Sequence, residues 1–119
     1  MAEFEFYNEL IGEQLSAVTF VQDYFQLWFD GPGINVMNPT TVQSGQASSK
    51  SWDSEFRNML CFQITKIVER FEIKDRESFS IIFEDYSTIT VSIFPDDYTG
   101  PEAVYIHGLR STEVPFTSI

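Results

Sequence analysis

Few residues in this 119-residue chain can do chemistry: it has one histidine, one cysteine, 18 acids and 7 bases. The acids include two adjacent pairs, Glu84-Asp85 and Asp96-Asp97. Paired carboxylates suit a hard cation, or an acid whose pKa is raised by its neighbour. Adjacent acids on a strand or turn point to opposite sides, however, and neither pair has calcium-loop spacing. They read as a solvated turn and a solvated loop. The two-carboxylate arrangement of sugar hydrolysis depends on a spatial separation that a sequence does not give. His107 alone could act as the usual general base, and no serine stands in a Gly-x-Ser-x-Gly elbow. The zinc patterns His-x-Glu, His-Glu-x-x-His and Cys-x-x-Cys are missing. Gly31 and Gly33 flank Pro32 with no following lysine, which is a turn and not a phosphate loop. Cys61, among Met59, Leu60 and Phe62, reads as a small buried hydrophobe. These residues predict a protein that is not an enzyme, with no catalytic, cofactor-binding or metal-ligating residue assigned.

The aromatic residues, twelve of them Phe, are more informative. Strand alternation places Phe25, Leu27 and Phe29 on one face and Tyr24, Gln26, Trp28 and Asp30 on the other. Ile82 occupies the position matching Trp28 in the second half of the chain. Met37, Val68 and Phe94 also fall opposite their strands' main inward faces. With the acidic loop that follows Phe94, these residues give a candidate partner or ligand surface of Tyr24, Trp28, Ile82, Phe94, Asp96, Asp97 and Tyr98. Such a face is covered either by the protein's own helix or opposite half, or by a partner.

Charge narrows the partner. Net charge is −11, which disfavours nucleic acid and anionic membrane surfaces, both of which require Lys/Arg. Residues 1–49 hold six acids and no Lys or Arg. Residues 50–76 carry six bases against five acids, and residues 77–119 carry seven acids against Arg110 alone. The surplus therefore belongs to the two flanking thirds. No basic-then-apolar leader and no apolar run of about 20 residues is visible. With a lone cysteine this predicts a cytoplasmic protein without an intrachain disulfide.

The elements that would position these residues are mostly strands. One domain spans 1–119, in keeping with the usual domain size. Val18 and Phe20, then Tyr24–Asp30, then Ile34 and Val36 after the Gly31-Pro32-Gly33 turn predict a three-strand meander. Ile67, Phe71 and Ile73, then Phe79, Ile81 and Phe83, then Ile89, Val91 and Ile93 predict a second. Phe25-x-Leu27-x-Phe29 matches Phe79-x-Ile81-x-Phe83 at an offset of 54, and Ile34-x-Val36 matches Ile89-x-Val91 at 55. The match reads as a duplicated unit or as two ordinary meanders. Between them, residues 38–51 are Ser/Thr/Gln/Gly-rich and predict a mobile loop. Asp53 then caps one substantial helix with an apolar stripe of Phe56, Met59, Leu60, Ile64 and Ile67, yielding to strand near Thr65. A short helix near Tyr7–Leu10, a final edge strand over 103–107 and a mobile stretch over 109–119 complete an α+β fold, mainly antiparallel sheet.

The segment Phe20-Val21-Gln22-Asp23-Tyr24-Phe25-Gln26-Leu27-Trp28-Phe29-Asp30-Gly31-Pro32 resembles one in a family of short bacterial proteins. In that family a Phe-Val-Gln-Asp-Tyr stretch leads into a Phe-Asp-Gly-Pro turn. The likeness continues through Leu10-Ile11-Gly12, Arg57–Cys61, Phe83-Glu84-Asp85, Asp96-Asp97-Tyr98 and Gly100-Pro101-Glu102. It carries a fold signature and implies no activity, cofactor or catalytic residue. The acidic flanking thirds, the aromatic second face and the lack of a recognisable catalytic set predict a small acidic binding module of the inhibitor or immunity type, acting on a protein partner with a basic surface or on a second copy of itself. The alternative is a small-ligand-binding or structural domain with an aromatic-lined pocket.

Overall fold

A computed structural model describes residues 7–109 and 117–119. Among the described residues ten strands form two five-stranded antiparallel sheets. The first has the order β1 (Ala17–Val21), β2 (Tyr24–Trp28), β3 (Gly33–Val36), β9 (Val104–His107), β10 (Thr117–Ser118). The second runs β5 (Ala47–Lys50), β4 (Thr40–Ser44), β8 (Thr88–Ser92), β7 (Ser78–Phe83), β6 (Val68–Lys74). Alternation decides which side chains go inward. Phe25, Leu27, Ile34, Val36, Val104 and Ile106 of the first sheet meet Val42, Phe71, Phe79, Ile81, Ile89 and Val91 of the second in one buried core. Removing this apolar surface from water is the main driving force of the fold.

Neither sheet is a bare three-strand meander, because each recruits strands from the other half of the chain. β4 follows β3 in sequence but pairs with β8, and β9 follows β8 but pairs with β3. The registers of the two sheets correspond. Phe25 faces Val36 and Leu27 faces Ile34; Phe79 faces Val91 and Ile81 faces Ile89. In the exchanged strands Ile34 faces Ile106, and Ile89 faces Val42.

The stretch between the sheets differs from its sequence reading. Residues 38–51 are not a loop: they contain the β4–β5 hairpin, closed by Gly45 (φ +61°) and Gln46. Its polar composition conceals the strand because Thr40 and Val42 face the core while Thr41 and Gln43 face outward. The substantial helix shrinks to six residues, α2 (Phe56–Cys61). Asp53 does not cap it; its Oδ2 accepts from the Lys50 N–H at 3.2 Å, and the N-cap residue Glu55 makes no side-chain cap bond. After Cys61 the bonds tighten to Gln63 N–H→Leu60 O and Ile64 N–H→Cys61 O. Thr65 then turns left-handed at φ +84°, giving its N–H to Leu15 O. A β-branched residue cannot continue a helix at that angle. α2 spans from β1 across to the β4–β5 hairpin, closing one side of the core with Phe56 and Leu60.

The short helix α1 (Tyr7–Leu10) is present, and residues 12–15 run from it beside the start of β6, tied by Gly12 N–H→Val68 O and Leu15 N–H→Lys66 O. β9 is internal to its sheet, the edge position being taken by β10. Of the stretch read as mobile, Leu109 packs into the core and Thr117–Ser118 pair with β9; residues 110–116 lie outside the described residues. Among the described residues no helix is long and apolar enough to cross a membrane.

Candidate functional site

The outward-pointing residues of the first sheet form rows across its strands. One row is Ala17, Trp28, Gly33, His107; the next is Thr19, Gln26, Asn35, Tyr105, Ser118; a third holds Val21 and Tyr24. Gly33 lies between Trp28 and His107, and its missing side chain lets the two rings meet above it, 5.3 Å apart and edge to face. A Cβ at Gly33 would stand 2.6 Å from His107 Cε1 and 2.8 Å from Trp28 Cε3. Tyr105 stacks on the other side of His107, at 5.6 Å.

Polar bonds fix these rings. Trp28 Nε1–H donates to Thr19 Oγ1 at 3.1 Å. Gln26 Nε2 donates to Asn35 Oδ1 at 3.1 Å, and His107 Nε2 lies 3.1 Å from the same oxygen. An amide oxygen only accepts, so His107 donates from Nε2 and leaves Nδ1 as its free acceptor. Burial pushes the His107 pKa below its ordinary value. The result is a half-exposed, rigid platform of Tyr24, Trp28, Tyr105 and His107 joined by amides. Asp23 and Asp30 stand exposed in the turns at the two ends of β2. The five strands of this sheet contain no Lys or Arg.

The outer face of the second sheet has the equivalent registers with other residues. Its rows are Arg70, Ile82, Thr88, Gln43, Ser48 and Glu72, Ser80, Thr90, Thr41, Lys50. Apart from Ile82 these are hydroxyl, amide and charged side chains, with Ser80 Oγ and Thr90 Oγ1 bonded at 3.0 Å.

The seven residues marked in the sequence therefore separate. Tyr24 and Trp28 share the first sheet's platform. Ile82 lies in the outer row of the second sheet but is buried there, at 4% exposure, and so offers no available surface. Phe94 is exposed beside the 3₁₀ turn Pro95–Asp97, with Asp96 exposed; Asp97 accepts from the Ser92 hydroxyl, and Tyr98 packs against the core. Val68, expected on an outward face, is in the core, whereas Cys61, expected inside, is exposed. Tyr105 and Asn35 escaped notice in the sequence because β9 joins β3 only through the strand exchange.

A second polar cluster gathers around Lys66. Its Nζ lies 2.9 Å from Asp85 Oδ2 and 2.9 Å from Ser87 Oγ, and Ser87 Oγ is 3.0 Å from Ser44 Oγ. Burial pushes Asp85 up, but bonds from Lys66 and from the Ser87 N–H and hydroxyl outweigh it and hold Asp85 below the ordinary carboxylate value. The chain of atoms has the reach of a lysine-activated serine. With Asp85 as its partner, Lys66 is placed as a donor to both neighbours, and the cluster ties the β7–β8 turn to β4 and to the start of β6.

Among the described residues no group of three or more His, Cys, Asp or Glu side chains gathers to hold a metal. Comparison of the chain with protein-family models, curated proteins and solved structures finds no match.

Proposed function

We propose that this protein is a non-enzymatic binding module whose first sheet presents its outer face to a basic protein partner. One observation carries the reading: the two sheets have equivalent registers, and where the second turns hydroxyls, charges and a buried Ile82 outward, the first displays Tyr24, Trp28, Tyr105 and His107. Aromatic side chains supply large contact area at little entropic cost and are enriched in the cores of interfaces. Asp23 and Asp30 at the rim, with no Lys or Arg in the sheet's strands, favour a partner of opposite charge and raise its rate of encounter. An inhibitor or immunity-type role in the cytoplasm fits a small acidic chain of this kind. The equivalent registers also support a duplicated ancestral unit, and the Phe20–Pro32 segment supports kinship with the short bacterial family it resembles.

Affinity capture with the immobilised full chain tests the proposal. A basic protein should be retained at low salt, released at high salt, and lost with Trp28→Ala, while Thr90→Ala on the other sheet retains it. Capture of nothing at either salt, or equal capture by the Trp28 variant in a folded state, would refute it.

A small-ligand reading draws on one different observation, a 220 Å³ cavity beside Tyr24. Thermal-shift screening against small metabolites separates the two; a uniform absence of shift removes this alternative.

A further inference from the structure

The cavity beside Tyr24 lies at the end of the aromatic platform, between β2, β3 and the turn that follows β5. Its walls include Asp23, Tyr24, Met37, Asn38, Trp52 and Thr99. Three features set it apart from an ordinary surface dent. Asn38 is 4% exposed; its Nδ2 donates to Ser92 O at 2.9 Å, while its Oδ1 is buried with no hydrogen-bond partner. A buried acceptor in that condition costs stability unless something supplies a donor. Trp52 is held at φ +67°, a left-handed conformation that a bulky residue adopts only against steric strain. Its indole is braced by Phe20 at 6.3 Å and Phe56 at 5.6 Å, so a strained backbone presents a fixed aromatic wall. Finally, the single ionisable carboxylate of the lining is Asp23, and no Lys or Arg lines the cavity.

We propose that this cavity receives a primary ammonium group on an alkyl chain, the side chain of a lysine. The proposal rests on the reading above, with the lysine supplied by the basic partner docked on the platform. A volume of 220 Å³ is below the roughly 300–1,000 Å³ of sites for drug-sized ligands, and suits one side chain. The alkyl stem packs on Met37 and the aromatic walls, the ammonium meets Asp23 and the π faces of Tyr24 and Trp52, and one of its donors satisfies Asn38 Oδ1. A compact ammonium carries its three donors on one atom and can serve Asn38 Oδ1 and Asp23 together, whereas a larger planar guanidinium pairs bidentately with the Asp23 carboxylate alone. Arg57 opposes the incoming charge: its guanidinium carbon lies 5.2 Å from the Trp52 ring centroid, outside the cavity lining.

The test uses the full chain, isotope-labelled, titrated with Nα-acetyl-lysine methylamide and followed by NMR. The Trp52 indole N–H and the Asn38 side-chain amide should shift saturably. The norleucine analogue, which lacks the ammonium and ends in a methyl at the ε carbon, should leave both unmoved, and the arginine analogue should bind more weakly. Asp23→Asn should weaken binding about two- to fivefold, as for a partly exposed ion pair, and Arg57→Gln should strengthen it. Equal shifts with the norleucine or arginine analogue, no response to Asp23→Asn, or no shift at all would overturn the assignment. The small probe needs no partner, so its failure is distinct from a failed capture experiment.

Discussion

Replacing Gly33 by alanine tests how the aromatic platform is built. The backbone there needs no positive φ, so the new methyl is resisted only by what stands above it: His107 Cε1 at 2.6 Å and Trp28 Cε3 and Cζ3 at 2.8 Å. Contacts that close force the rings apart. Neither ring moves freely, since Trp28 is bonded to Thr19 and His107 to Asn35, each at 3.1 Å. Overpacking of this kind costs about 1–3 kcal/mol. Alanine recovers roughly 0.5–1 kcal/mol of backbone entropy relative to glycine in a strand. The net expectation is a loss of about 1–2 kcal/mol, or on the order of 5 °C in Tm for a chain of this size. Urea unfolding should show a lower midpoint with an unchanged m-value. The Trp28 indole and His107 ring resonances should shift with it, marking the separation of the rings. A variant as stable as the parent, with both resonances in place, would refute the idea that the Trp28–His107 contact depends on a bare backbone at Gly33.

Other outcomes follow from burial and charge. Phe83→Ala, at a fully buried position, should cost about 3–5 kcal/mol, whereas Phe62→Ala, 74% exposed, should stay within about 0.5 kcal/mol; denaturant titration compares them. His107 should titrate below 6.5 by NMR, and Trp28→Ala, by admitting water, should raise the midpoint. Because the unfolded chain takes up this proton first, the histidine's contribution to stability is full above about 6.5 and falls as pH drops towards the folded-state pKa. Asp85 gives the acid-side counterpart. Its pKa lies below the ordinary 3.8, so its contribution is present above that value and is lost as pH falls through the folded-state pKa; Lys66→Met should flatten that part of the stability profile.

Legibility of the fold in the sequence followed the strength of the local pattern. Phe25, Leu27 and Phe29, and Phe79, Ile81 and Phe83, alternate cleanly, and all six are buried. The β4–β5 hairpin was hidden because a strand with one inward Val42 among Thr, Gln and Ser differs little in composition from a loop. The helix was overestimated because Ile64 continues the apolar spacing of Phe56 and Leu60, while the reversal at Thr65 is imposed by its bond to Leu15, fifty residues away. Ile82 and Trp28 hold matching positions in sequence, yet one is buried and the other half-exposed; what covers each is a matter of three dimensions.

The sequence by itself determined the strand periods, the Gly31-Pro32-Gly33 turn, the outward set of Tyr24, Gln26 and Trp28, and the charge imbalance between thirds. These are local properties, written in alternation and residue type. Only the tertiary structure decided that β4 and β9 exchange between the sheets. That exchange carries Tyr105 and His107 over to Asn35 and Trp28, and the tertiary fold brings Trp52, after β5, to the cavity that Asp23, Tyr24 and Asn38 also line. Strand pairing between distant segments follows from which registers bury both inner faces at once, a condition on the whole chain that no short window contains.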